Sequence, residues 1–278
     1  DGVNDAPALK RADIGVAMGI TGTAVSRQAS DMVLTDDNFA SIVAAVEEGR
    51  RVYDNLVKSL AFVLPTNIGE ALIVMVAVIF FPLTDGRPLM PVLPVQILWV
   101  NLVATVALAL PLAFETMEPE VMRRPPRDPK APILDRFLNV RTIYVAVLMT
   151  AGAIVLFFFE PGPGTGQGVD PARALSEAQT MAVTSIIALQ IFYLLSCRSI
   201  KRTVFAIGLF SNPTVFVGIA TIIVLQLGFV YLPVFNQLFS SSPLGPAGWF
   251  RAFAVGATVW PVVAVEKAIR RKREEARL

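Results

Sequence analysis

The chain has 278 residues, of which 54% are hydrophobic and 17% charged, and its mean hydropathy is +0.61. Soluble domains carry nearer a quarter of charged residues, so this composition is that of a membrane protein. The net charge of +2 offers no footprint for nucleic acid, the single Cys197 excludes an intrachain disulfide, and the lack of His removes zinc or histidine-dependent chemistry from this chain.

The opening residues, DGVNDAPALK, set Asp1 and Asp5 around Gly2 and Asn4, and Pro7 then stands where a helix starts. DIGVAMG (13–19) and DMVLTD (31–36) are short apolar runs bounded by Asp and Gly, the pattern of strands. PALKRA and TAVSRQAS between them read as helices, and this alternation predicts part of an open α/β sheet. Residues 1–58 are too few to complete such a sheet, and an acid at the end of a parallel strand requires a strand before Asp1. From Asp36 to Ser59 apolar residues recur at helical spacing after an Asp/Asn start with no breaker, which predicts one long helix leading into the first membrane segment.

Six apolar stretches are long enough to cross a bilayer: 59–81, 91–114, 141–159, 180–197, 213–235 and 249–266. Nothing near Asp1 resembles a signal peptide, so insertion is expected to rely on these segments. Lys and Arg concentrate before the first span (Arg50, Arg51, Lys58), between the second and third (Arg123 to Arg141), between the fourth and fifth (Arg198, Lys201, Arg202) and after the sixth (Lys267 to Arg277). With six spans all four basic zones fall on one side, which predicts that both ends are cytoplasmic. The stretch EPGPGTGQGVDPARALSEAQ (160–179) falls on the outer side and reads as a Gly/Pro-rich loop. Trp99, Trp249 and Trp260 read as packing or interface aromatics, and Cys197 as a small apolar residue.

Polar residues inside spans are costly and usually functional. In LPTNIGEAL of the first span, Pro65 leaves the Ala61 carbonyl without its helical donor, while Asn67 and Glu70, three apart, share a face. In WVNLVATVALAL of the second span, Asn101 and Thr105 are four apart and share a face.

DGVNDAPALKRADIGVAMG resembles the hinge motif of the P-type cation-transporting ATPases, and PVQILWVNLV and MRRPPRDPKAPIL resemble the membrane half of their calcium and sodium/potassium-type branch. The resemblance covers the whole chain as the carboxy-terminal portion of a longer pump. It implies a mainly α fold: a six-helix transmembrane bundle over 51–278, preceded over 1–50 by the end of a haloacid-dehalogenase-like phosphorylation domain. It further implies ATP-driven cation transport through an aspartyl phosphate, with Ca²⁺ or another small cation as cargo, across the cell membrane.

By the same resemblance Asp1 is a Mg²⁺ ligand, Asn4 contacts the phosphoryl group and Asp5 is the second acid that supports the metal site and the conformational switch. Mg²⁺ suits phosphoryl transfer because hard oxygen ligands hold it against phosphate charge. Asn67, Glu70 and Asn101 align with cation-ligand positions. Thr105 stands where the family carries an Asp, which replaces a charged ligand with a hydroxyl. Gln190 of the fourth span stands where reticulum-type calcium pumps carry a Glu, and either lines the site or bonds between helices. One buried carboxylate makes a two-calcium site improbable and leaves open a single divalent ion, a monovalent cation or a proton.

The family's phosphorylated aspartate lies in a DKTGT-type motif, and no such string occurs in the sequence. The expected partners are therefore the remaining N-terminal part of the pump, with its actuator, nucleotide-binding domain and first membrane helices, together with membrane lipid. The chain alone is not expected to hydrolyse ATP. The competing reading is a non-catalytic membrane module acting as a binding or assembly subunit. An upstream coding sequence that continues in frame to a DKTGT-type motif would separate the two.

Overall fold

In the computed structural model, residues 1–84, 86–128, 130–159, 170–200, 202 and 204–275 are described. The residues fall into two compact units: Asp1–Tyr53 with Pro119–Pro125, and Asp54–Glu118 with Pro126–Leu278.

In the first unit the two apolar runs form strands Val16–Met18 and Met32–Leu34, paired in parallel with Val16 opposite Met32 and Met18 opposite Leu34. A parallel pair needs a crossover, and helix Ala24–Ala29 supplies it. Thr23 caps that helix by accepting from the Ser26 N–H at 3.2 Å. Helix Ala6–Arg11 carries Pro7 in its first turn, as its sequence predicts. Asp37 has φ 49°, a left-handed conformation that Asp tolerates better than most residues. Its carboxylate accepts from the Ile20 N–H at 2.8 Å, and from the Thr21 N–H and hydroxyl at 2.7 Å each, tying together the turns that follow the two strands. These bonds, the Ile20 N–H first, draw the Asp37 pKa down to about 2. Arg50 donates to the Val121 and Arg124 carbonyls at 2.8 Å each.

Among the described residues six helices are long and apolar enough to cross a membrane: Ala40–Phe80, Pro94–Ala113, Arg136–Phe159, Pro171–Cys197, Pro213–Tyr231 and Pro246–Arg273. They are the six stretches read from the sequence, and the protein is an integral, multi-pass membrane protein. Ala40–Phe80 is one continuous helix: the absence of a breaker before Ser59 predicts its first part, and it continues through Pro65. The fourth span starts nine residues before its apolar stretch because Asp170 caps it, accepting from the Ala172 N–H at 3.1 Å, and Pro171 opens its first turn. Of the outer loop read over 160–179, residues 160–169 lie outside the described residues, and Pro171–Gln179 is not loop but the first turns of this helix, because the Asp170 cap and Pro171 start it early. The sixth span is broken into Pro246–Ala257 and Val259–Glu275, with Pro261 just past the break withholding the donor that Ala257 would need. In the second span a π-helical turn, Thr105–Ala109, interrupts the α-helix ahead of Pro111.

The fourth span is the axis of the second unit: every residue from Ala178 to Ile191 is buried. Small residues let neighbours approach closely. A Cβ on Gly218 of the fifth span would lie 1.9 Å from the Ala107 carbonyl oxygen in the π turn. A Cβ on Gly69 of the first span would lie 2.3 Å from Met149 Cε and 3.3 Å from the Ala146 carbonyl oxygen of the third.

Two buried charge networks fix the helix ends. Arg198, after the fourth span, meets Glu115, after the second, with Nε–Oε2 3.0 Å and Nη2–Oε1 3.1 Å, and both residues are fully buried. Asn212, which caps the fifth span, donates to Glu115 Oε2 at 3.1 Å. Arg198 also donates to the Ser211 hydroxyl at 2.6 Å and to the Leu209 carbonyl. Asn55 of the first span donates to the Glu115 carbonyl at 2.9 Å and the Ala113 carbonyl at 3.1 Å. In the second network Arg141 pairs with Glu266, and Lys267 donates to the Ser196 carbonyl at 2.6 Å, satisfying the end of the fourth span. Arg141, Arg198 and Lys267 are thus interior groups, although the sequence counts them among loop charges.

Candidate functional site

The residues singled out by the sequence lie in two places. In the first unit, Val3–Asp5 forms a single 3₁₀ turn, and Asp1, Asn4 and Asp5 are all exposed. The Asp1 carbonyl accepts from the Thr23 N–H at 2.9 Å and the Ser26 hydroxyl at 3.0 Å, which seats the turn on the start of the crossover helix. Asp5 Oδ2 accepts from the Gly2 N–H at 2.8 Å. Two exposed carboxylates one turn apart suit Mg²⁺, which binds through one or two carboxylates and keeps several waters.

In the second unit the first span brings Glu70 to the fourth. Glu70 is 5% exposed, and its Oε1 accepts from Gln190 Nε2 at 3.3 Å. The Asn101 side chain of the second span interacts with the same carboxyl. Glu70 Oε2 and Gln190 Oε1 are buried with no hydrogen-bond partner among the described residues. A buried carboxylate oxygen without a partner is costly and calls for a ligand or an ordered water. Three helices therefore converge on one carboxylate, and two free oxygens remain there.

Asn67 is exposed, unlike Glu70. Three residues advance a helix by about 300°, so two side chains on one broad face still differ in direction by about 60°. That rotation is enough to turn one inward and the other to the bundle surface. Thr105 lies in the π turn, and its side chain is outside the described residues. Gln190, which the sequence left between site and structural roles, bonds directly to the candidate ligand.

The sequence reading missed Tyr193. Its hydroxyl donates to the Ala61 carbonyl at 2.6 Å, and that carbonyl is the one Pro65 leaves without a helical donor. The vacancy was legible in the sequence but its partner, 132 residues away, was not.

The family model described as "Cation transporting ATPase, C-terminus" matches residues 89–269. The chain belongs to the P-type cation-transporting ATPase family. It is 45% identical over 275 residues to "Probable cation-transporting ATPase F" of Mycobacterium tuberculosis, covering 99% of this chain and 29% of that protein. It is 41% identical over 256 residues to "Cation-transporting ATPase pma1" of a Synechocystis species, covering 90% of this chain and 27% of the relative. It is 36% identical over 259 residues to the "Calcium-transporting ATPase" of Bacillus subtilis, covering 92% and 27%. The chain thus spans less than a third of the length of these relatives, and it corresponds to the C-terminal portion of a cation-transporting ATPase.

Proposed function

We propose that the chain is the cation-translocating portion of a pump driven by ATP through an aspartyl phosphate, and that Glu70 carries the charge of its transport site. The observation that carries this reading is the buried Glu70 carboxyl, faced by amides from two other spans and retaining an unpartnered oxygen. Gln190 and Asn101 add neutral oxygens from the fourth and second spans, and Thr105 and Asn67 are the further candidates on the second and first. One carboxylate among neutral oxygens suits a single small cation, Ca²⁺ or a monovalent ion, better than a pair of calcium ions. The names of the relatives, one a calcium-transporting ATPase, support the class of cargo.

In the first unit Asp1 would hold Mg²⁺, which when bound neutralises phosphate charge during phosphoryl transfer. Asn4 would donate its amide to the phosphoryl group, and Asp5, which accepts from the Gly2 N–H, would be the second acid that supports the metal site and the conformational switch. This unit is the end of a haloacid-dehalogenase-like phosphorylation domain. The acceptor aspartate, the nucleotide-binding and actuator domains and the first membrane helices come from the rest of the pump. The basic zones support an orientation with both ends of the chain in the cytoplasm, and the family resemblance supports the cell membrane as the membrane of the pump.

The test is Glu70→Gln in the complete pump, which keeps the shape and removes the charge. ATPase activity is titrated separately with Ca²⁺, Na⁺, K⁺ and protons. Cation-stimulated activity should be abolished, while Thr105→Asp should raise divalent affinity. Wild-type activation of Glu70→Gln by every ion would place the site elsewhere.

A further inference from the structure

Around Pro65 the first span lacks one of its own hydrogen bonds, and hydroxyl groups stand in the gap. Proline has no N–H, so the Ala61 carbonyl has no donor four residues on. Tyr193 supplies it at 2.6 Å from the fourth span. The next two carbonyls, Phe62 and Val63, accept from the Thr66 hydroxyl at 3.1 and 2.9 Å. Tyr193 is fully buried, and Ala61 and Phe62 are buried with it. Its ring stacks on Phe62, with centroids 6.0 Å apart and planes inclined by 21°.

The same two helices meet a second time at Glu70 and Gln190. The pairs Ala61–Tyr193 and Glu70–Gln190 run in opposite directions along the two antiparallel helices. On the fourth span the two side chains are three residues apart, less than one turn. A slip or rotation of the first span against the fourth would have to break both bonds together. The Tyr193 bond is the shorter of the two, and it holds the turn that proline leaves soft, five residues before Glu70.

We infer that Tyr193 is a positioning residue for the transport site: its hydroxyl replaces the helix donor that Pro65 lacks and so sets the register in which Glu70 meets Gln190. The residue acts through Glu70 and does not itself touch the cation. The inference rests on the reading of Glu70 as the charged cation ligand.

Tyr193→Phe in the complete pump keeps the ring and the stack on Phe62 and removes the hydroxyl alone. The half-maximal concentration of the activating cation should rise about tenfold, the effect of one lost bond to a buried carbonyl, with the maximal rate changed less than about twofold. Pro65→Ala restores the missing N–H and lets the helix close its own bond to Ala61. In the Pro65→Ala background the further change Tyr193→Phe should shift the half-maximal concentration by less than about threefold, because the hydroxyl is then redundant. A role limited to packing would show no such rescue. If Glu70→Gln abolishes activation while Tyr193→Phe behaves as wild type, or is equally impaired with and without Pro65, the positioning role is refuted and the cation site stands. If Glu70→Gln keeps wild-type activation, the cation site is refuted and the inference falls with it.

Discussion

Replacing Glu115 by Ala tests the buried charge network that ties the second, fourth and fifth spans. The carboxylate accepts two guanidinium bonds from Arg198, at 3.0 and 3.1 Å, and one amide bond from Asn212 at 3.1 Å, in a place with no solvent exposure. Its removal strands the Arg198 charge. Breaking one side of a buried pair costs about 3–5 kcal/mol, mainly because the survivor stays desolvated. Arg198 retains its bonds to the Leu209 carbonyl and the Ser211 hydroxyl, which sets the expected loss at the lower end, about 3 kcal/mol. Removing both charges with Glu115→Leu and Arg198→Met should cost far less than the two single changes added together, with a coupling of about 2 kcal/mol or more. Equilibrium unfolding of the purified protein in mixed detergent micelles, with all four members of the cycle, measures both quantities. A Glu115→Ala protein within about 1 kcal/mol of wild type, or an additive cycle, would show that the pair contributes nothing beyond its packing.

Gly218→Ala puts a methyl group 1.9 Å from the Ala107 carbonyl oxygen, a backbone atom that cannot rotate away. It should destabilise the protein by about 1–3 kcal/mol or more in the same unfolding assay, and a neutral result would show that the two spans separate freely. Asp37 gives a pH signature in the first unit. Its folded pKa, about 2, lies below the ordinary 3.8, so the stability it contributes is complete above pH 3.8 and is lost as pH falls towards 2. Carboxyl ¹³C shifts should place its midpoint near 2 and Asp37→Asn should remove that part of the pH dependence; a midpoint near 3.8 would mean that the bonds to Ile20 and Thr21 do not form in solution.

What the sequence made legible was whatever depends on neighbours in the chain. Short apolar runs closed by Asp or Gly are the two strands. Pro7 stands in the first turn of the helix it was read to start. Each membrane span declares itself through length and apolarity alone, because a bilayer tests only those two properties. The partners of buried polar groups were beyond reach because they are set by packing between distant segments. Arg198 and Glu115 are 83 residues apart, and Arg141 and Glu266 are 125 apart; nothing local distinguishes these arginines from the loop charges that orient the protein. Glu70 could be singled out because a carboxylate in an apolar helix is conspicuous by itself, whereas the direction of Asn67 turns on about 60° of helix rotation that sequence spacing does not resolve. Tyr193 lay in between, since Pro65 announced an empty carbonyl without naming the group that would fill it.

The π turn of the second span has one more consequence, which concerns phase. Leu98, Leu102, Val106, Leu110 and Phe114 are all exposed, at intervals of four residues. On an unbroken α-helix four residues advance by 400°, so a stripe with that spacing drifts sideways by about 40° per step and about 160° over its length. The wider turn at Thr105–Ala109 absorbs one residue's rotation, about 100°, and leaves the outermost members of the stripe within about 60° of each other. A run that would otherwise wind from the outer face into the core is thereby kept on one side of the bundle. The same correction keeps Val100, Val103, Ala104, Leu108 and Leu112 on the inner side, so that Asn101 and Glu115 answer to different neighbours from a single span. In this helix the irregular turn works as a vernier, resetting the two halves against each other by a fraction of a turn.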